Sequence, residues 1–372
     1  MKTWRTILVG QVGLAAVLLT ADTAGAEQTG ESPRIENAKV ENRTVTGTLA
    51  ETFRGIIGQA EKPEWVGYGV PEIAGERSVC CGNYTDGDGM GCGTCRLEKE
   101  GSGLGGTTRS NSNGTMKLEG ARELFVLFRL EGKQVVRIRT ASADCTLDAG
   151  GLPFVWLTGV KPAESVALLE GYVRGANFEE HGDHKIGHGA LTAIALQADA
   201  AADRAFESFV DPQQPEGLRR QAAFWLGAAR GKSGYGLLQK MAKSDPSSHV
   251  RAHVAFALSV SHEPEALTEM IRMAREDESS HVRGQALFWL AQKAGQKAVS
   301  TITGAIENDP DTDVKKKAVF ALSQLPKDEG VPKLIEVAKT NRNREVRKQA
   351  MFWLGQSNDP RALEFFQQIL TQ

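Results

Sequence analysis

The chain has 372 residues, with 44 basic and 46 acidic side chains and a formal net charge of −2. That balance excludes a broadly basic nucleic-acid binder and a polybasic membrane-surface protein. All five cysteines fall between Cys80 and Cys145, so the chain is expected to divide into two unlike modules.

Residues 1–26 read as a secretion signal. Lys2 and Arg5 form a basic start, residues 7–19 are apolar but short for a bilayer span, and Ala24-Gly25-Ala26 supplies a cleavage site. The expected product starts near Glu27 and is exported to the periplasm or the cell exterior, where disulfides are permitted. The other reading is an uncleaved anchor. No later segment is apolar enough to cross a membrane.

Residues 47–60 predict a helix, because Leu49, Phe53, Ile56 and Ile57 fall on one face. Residues 65–70 read as a strand. Residues 80–120 hold eleven glycines and four cysteines with few large apolar side chains. Such a stretch buries little surface and needs a covalent or metal staple. Residues 122–130 and 134–140 predict a β-hairpin with Gly132 in its turn. Residues 27–148 are therefore expected to form a small Cys/Gly-rich, mainly β module. Residues 149–185 are expected to form a degenerate capping repeat and linker, since Phe154-Val155-Trp156-Leu157 looks like a motif that recurs downstream.

Six units of 32 residues then fill 186–372. They open at Ile186, Leu218, Val250, Val282, Val314 and Val346. LRRQAAFWLG and VRKQAMFWLG are the clearest copies. A fixed period of this length is the signature of a solenoid, whose units bury their apolar faces only by stacking. Counting each opening residue as position 0, positions 0, 4, 7 and 8 form the stripe of a first helix, and positions 17, 20 and 24 that of a second. Asp245, Asp277, Asp309 and Asn341 stand five residues before an opening, where they are expected to cap the incoming helix.

These residues resemble the short HEAT-like repeats, including those of the phycobilisome-lyase type. The stretches WVGYGVPEIAGERSVCC and DCTLDAGGLPFVWL resemble the front part of exported bacterial HEAT-like repeat proteins. The resemblance implies a mainly α fold, a right-handed α-solenoid of helix pairs behind the β module, and leaves the activity open. Hydroxylases of this type use several His-Glu pairs as iron ligands, whereas only His262-Glu263 occurs here. Bilin lyases work on cytoplasmic antenna proteins, which conflicts with export.

Position 6 carries Phe224, Phe256, Phe288, Phe320 and Phe352, roughly 140° from the core stripe on a helical wheel. Gln221, Gln285 and Gln349 lie beside it at position 3. This row is either a ladder for an extended peptide or partner helix, or a set of rings packed between units. Position 7 alternates Ala and Trp, giving a 64-residue super-period expected to fill core space. Position 1 is Arg219, Arg251, Arg283, Lys315 and Arg347, expected to bind backbone or acidic groups between repeats.

Two clusters have ligand-like residues. His181, His184 and His188 are a candidate metal site, with exposed linker histidines as the alternative. Cys80, Cys81, Cys92 and Cys95, with Cys145 as the odd fifth, suit structural disulfides of undetermined pairing. A zinc knuckle and a redox pair are the other readings. Asp86-Gly-Asp88-Gly matches a calcium loop only in part. No nucleophile elbow, phosphate loop or dinucleotide fingerprint is present. The expected function is an exported scaffold that binds a protein or peptide, with no catalytic residue and no cofactor. The alternative is a metal- or redox-dependent activity at the cysteine or histidine cluster. The pattern gives no strong sign of a homo-oligomer.

Overall fold

The computed structural model describes residues 33–74, 77–80, 83–86, 94–99, 123–179 and 185–371. Residues 1–32, most of the glycine-rich segment and His181 and His184 lie outside these residues. The N-terminal strands are β1 (Arg34–Glu36), β2 (Val40–Thr44), β3 (Glu64–Pro71), β4 (Arg77–Cys80), β5 (Asn83–Asp86), β6 (Thr94–Arg96), β7 (Glu123–Glu131), β8 (Gln134–Ser142), β9 (Thr146–Asp148) and β10 (Phe154–Thr158). A five-stranded sheet runs β2-β10-β3-β7-β8, and a three-stranded sheet runs β1-β9-β6. β7 and β8 form the predicted hairpin. Gly132 and Lys133 both sit at positive φ in its turn, the primed geometry that matches the twist of the strands.

The continuous apolar run in β7 has a structural cause: the large sheet is covered on both faces. Leu124, Val126, Phe128 and Leu130 join the core that also holds Leu49, Phe53 and Ile56 of α1 (Leu49–Gln59). Phe125 and Leu127 point the other way, into a second core with Trp65, Phe154, Cys95, Cys145 and Leu147. Helix α1 begins at Thr48, whose hydroxyl and the Glu51 carboxylate cap each other's backbone.

The boundary expected at 148/149 is corrected here. Phe154 to Leu157 are not the first helix of a degenerate repeat. They form β10, parallel to both β2 and β3 inside the large sheet. Their apolar residues alternate between the two cores, Val155 and Leu157 on one side, Phe154 and Trp156 on the other. A four-residue apolar run fits a strand buried on both faces as well as it fits a helix turn.

After α2 (Pro162–Arg174), the helices come in pairs: α3 (Gly187–Leu196) and α4 (Ala200–Phe209); α5 (Glu216–Ala229) and α6 (Gly231–Ser244); α7 (Ser248–Val260) and α8 (Ala266–Glu276); α9 (Ser280–Ala294) and α10 (Val299–Asn308); α11 (Thr312–Ser323) and α12 (Lys327–Thr340); α13 (Arg344–Gln356) and α14 (Pro360–Leu370). These are the six predicted units. The β part and the helices are not separately packed. Helix α3 lies on β8, Ile138 N–H donates to Lys185 C=O at 3.0 Å and Ile73 N–H to Leu196 C=O at 2.8 Å. One apolar core runs from Leu49 to Phe365.

A chain of buried charges sets the stacking. Arg251 Nε donates to Asp277 at 2.9 Å, and its Nη1 donates to the Asp245 carbonyl at 2.8 Å. Arg283 does the same one unit later, to Asp309 at 2.7 Å and the Asp277 carbonyl at 2.9 Å. Arg219 opens the series on Asp245 at 2.9 Å. Each arginine thus ties the loop before its helix to the loop after the next helix. The aspartates do not cap the incoming helices as expected. Ser247, Asp311 and Asn343, two residues further on, accept those helix-start bonds. The aspartates instead turn the chain, as when Asp277 Oδ1 accepts from Ser279 N–H, and hold the arginines. In the fifth pair both partners change together, to Lys315 and Asn341, and Lys315 Nζ donates to the Glu307 carbonyl.

Asp277→Ala leaves the Arg251 guanidinium with only the exposed Glu278 as counter-charge. It should lower the unfolding free energy by about 3 kcal/mol. The double replacement Arg251→Lys with Asp277→Asn, the combination already present at 315 and 341, should cost less. Urea denaturation of the three proteins ranks them, and a milder effect for Asp277→Ala would contradict this role for the pair.

Candidate functional site

The position-6 and position-7 rings form one aromatic row along the first helices. Phe224 stacks on Phe256 with centroids 5.9 Å apart and planes 13° from parallel. Phe256 meets Trp289 at 4.6 Å, and Trp289 meets Phe288 edge-on at 4.8 Å. Phe288 stacks on Phe320 at 5.8 Å and 4°. Phe320 meets Trp353 at 4.8 Å, and Trp353 meets Phe352 edge-on at 5.0 Å. The row is therefore not a ladder of free side chains. Four of its phenylalanines are half-buried between units, and Phe352 alone is exposed, at 54%. Two helices lying side by side bring position 6 of one against position 6 or 7 of the next, where offset aromatic pairing adds to burial.

The 64-residue alternation fills core space at Trp225, which is buried, and has a different geometric meaning at the two later tryptophans. The alanines at position 7 are fully buried, while Trp289 and Trp353 are only half-buried and lean over the phenylalanine of the preceding unit. Trp289 reaches back to Phe256 while Phe288 of the same unit stacks forward on Phe320.

Polar groups from positions 2 and 3 line this row. Gln221, Gln285 and Gln349 are all half-buried beside it. His253 packs edge-on against Phe256 at 5.4 Å. Burial, with the Arg220 charge next to it, pushes the His253 imidazole down to about 4. His253 Nε2 and Arg220 Nε are both buried with no hydrogen-bond partner among the described residues.

The row opens into a groove of about 600 Å³ between the fourth, fifth and sixth pairs. Phe320 and Trp353 supply its aromatic wall; Lys316, Lys317, His281 and Gln349 are among its polar side chains. Ser280, Asp311 and Asp313 complete the lining. Asp311 caps α11 through Asp313 N–H, and Lys316 pairs with Asp313 at 2.8 Å. Lys317 has no ion-pair partner among the described residues, and its stem lies over Gly284, where a Cβ would collide with it. The Trp353 indole N–H is buried without an acceptor. Burial, Lys317 and His249 together hold the His281 imidazole below its ordinary range. Among the sequence-predicted residues this groove gathers Phe320 and Gln349. Sequence reading missed Lys317 and Trp353, which were visible only as a repeat position and a packing device.

A family model described as HEAT repeats matches residues 207–291, 269–351 and 299–372. Residues 207–372 are a stretch of HEAT repeats. The HEAT-repeat portion coincides with the helix pairs that carry the aromatic row. No curated protein matches the sequence. Among solved structures the chain is similar to human deoxyhypusine hydroxylase in complex with glycerol, at 15% identity and a TM-score of 0.27, over 55% of this chain and 89% of that one. At that level the likeness carries no statement about the chemistry of this chain.

The other candidate residues lie elsewhere. His188, in the first turn of α3, packs on Phe178 at 5.0 Å. His181 and His184, Cys81 and Cys92, and the side chain of Cys80 fall outside the described residues. Cys95 on β6 and Cys145 before β9 are fully buried, and both are disulfide-bonded. No cluster of three metal-ligating side chains occurs among the described residues, and no described helix is long and apolar enough to cross a membrane.

His253 gives a pH test. Its folded-state pKa lies below the ordinary 6.5, so the unfolded chain takes up the proton first on acidification. Its contribution is whole above pH 6.5 and is lost as pH falls toward about 4, by at most ~3 kcal/mol. His253→Gln should flatten the fall in melting temperature across that interval. An unchanged slope, or an NMR titration of His253 near 6.5, would contradict its burial as a neutral group.

Proposed function

We propose that this protein is an exported scaffold that binds a polypeptide partner in the periplasm or cell envelope, through the groove across its last three helix pairs. The groove carries the reading. It joins an aromatic wall, the Lys317 ammonium and the Gln349 amide within one open cleft. An apolar side chain of the partner seats on Phe320 and Trp353, as anchors do in protein recognition. Lys317 favours an acidic residue beside it. The Gln349 amide, half-buried beside the row, can both donate to and accept from an extended backbone.

The export part rests on the basic start, apolar run and Ala24-Gly25-Ala26 of the leader. Buried disulfide-bonded cysteines in the β part fit an oxidising compartment. A right-handed superhelical course, the usual form of stacked helix pairs of this type, belongs to the same reading.

A photo-reactive residue in place of Gln349 should capture a polypeptide in intact cells. Trp353→Ala and Lys317→Glu should each reduce that adduct at least ~10-fold, the loss of about 1.4 kcal/mol. Absence of an adduct, or an adduct insensitive to both changes, would remove the groove as the binding site.

A further inference from the structure

Two histidines of neighbouring units meet at the starts of α7 and α9. His249 and His281 each stand just before the opening residue of their unit, in the two copies of Ser-Ser-His-Val-Arg. Their ring centres are 5.4 Å apart, with planes 55° from one another. His249 is exposed and His281 half-buried. Neither imidazole has a hydrogen-bond partner among the described residues, so the ring nitrogens of both are uncommitted.

The backbone sets their spacing. Arg251 donates to the Asp245 carbonyl at 2.8 Å and to the Asp277 carboxylate at 2.9 Å, and each histidine follows one of these aspartates by four residues. Asp245 and Asp277 then turn the chain in the same way, accepting from Ser247 N–H and Ser279 N–H, each at 2.9 Å. One buried guanidinium thus fixes the two helix starts against each other. Two imidazoles on one tetrahedral zinc, with bonds of about 2.1 Å, hold their ring centres roughly 5.3 Å apart. The observed separation matches. Imidazole ligates only as the neutral base, the form that burial favours for His281.

We infer that His249 and His281 together bind one divalent transition-metal ion, of the class that takes imidazole nitrogen, zinc or copper, and not calcium or magnesium. The two histidines leave a tetrahedral ion half-coordinated, and water or a donor from a partner fills the rest. Asp313 holds the same position in the next unit and lines the groove together with His281, so a carboxylate offsets the charge of the ion. The Lys317 ammonium of that groove opposes it. With two protein ligands and no hydrogen-bonded support behind the rings, binding is micromolar. The site needs no peptide in the groove, so this inference and the binding proposal can fail separately.

The test is a zinc titration of the purified protein, with disulfides intact and prior chelator treatment, at about pH 7.5 where neutral imidazole dominates. Calorimetry gives the affinity, and the imidazole proton resonances give the location. One ion should bind at this site with a dissociation constant of about 1–100 µM, moving the His249 and His281 signals together. His249→Gln and His281→Gln should each weaken it at least ~10-fold with unchanged circular dichroism, and the double variant should be no weaker than either single one, as a shared ion requires. Lys317→Gln should tighten it at least ~2-fold by removing a like charge. His184→Gln and replacement of zinc by magnesium are the controls: the first should leave the site intact, and the second should move neither signal. Signals indifferent to zinc at about 1 mM, single variants whose effects add, or zinc binding that survives His249→Gln and is lost in His184→Gln would each overturn the inference.

Discussion

The structure depends on an arginine that must be neutralised twice. The guanidinium groups of Arg219, Arg251 and Arg283 are buried at the junctions of units, where an uncompensated charge would be expensive. The carboxylate that pairs with Arg251 comes from the loop that ends its own unit, and the carbonyl from the loop that begins it. Because Asp245 and Asp277 also offer their own carbonyls to the next arginine, the links run on as Arg219, Asp245, Arg251, Asp277, Arg283 and Asp309. The length of the unit cannot drift without breaking a link. The three linked units keep the 32-residue period that these bonds require.

Packing follows from this pitch. Holding adjacent first helices in fixed register brings position 6 of one onto position 6 or 7 of the next. Two bulky rings at every contact would overfill the space, and the sequence alternates Trp with Ala at position 7. Where two half-buried phenylalanines stack with planes within 13°, the neighbouring contact is a Trp laid over a Phe. The row therefore has a direction, seen in the middle unit, where Trp289 reaches back to Phe256 and Phe288 stacks forward on Phe320.

The helix pairs were legible because their signal is repetition, and a period of 32 leaves no competing arrangement. The hairpin of β7 and β8 was legible from Gly132 and the alternation of Val136 to Thr140. What sequence could not separate was Phe154 to Leu157, since four apolar residues in a row satisfy a doubly covered strand and a helix turn alike. Only the long-range pairing with Val40 and Trp65 decides it. Similarly, the wheel placed position 6 away from the core stripe correctly, but a single helix cannot show that neighbouring units enclose its flank. The groove was illegible for the same reason. Lys317, Trp353 and Gln349 come from different units, and their convergence depends on stacking.

The fifth pair carries lysine and asparagine where the others carry arginine and aspartate, so the ionic thread stops at Asp309. Beyond it, α12, α13 and α14 are held by apolar contact, by carbonyl bonds from Arg347 and by the Asn343 to Thr312 bond. Stacked repeats unfold by local opening as readily as by global melting. Amide exchange should therefore find the end of the solenoid opening as its own small unit, while the arginine-linked repeats and the sheet they are fused to stay closed. The segment that forms one wall of the groove is thus the segment freest to adjust.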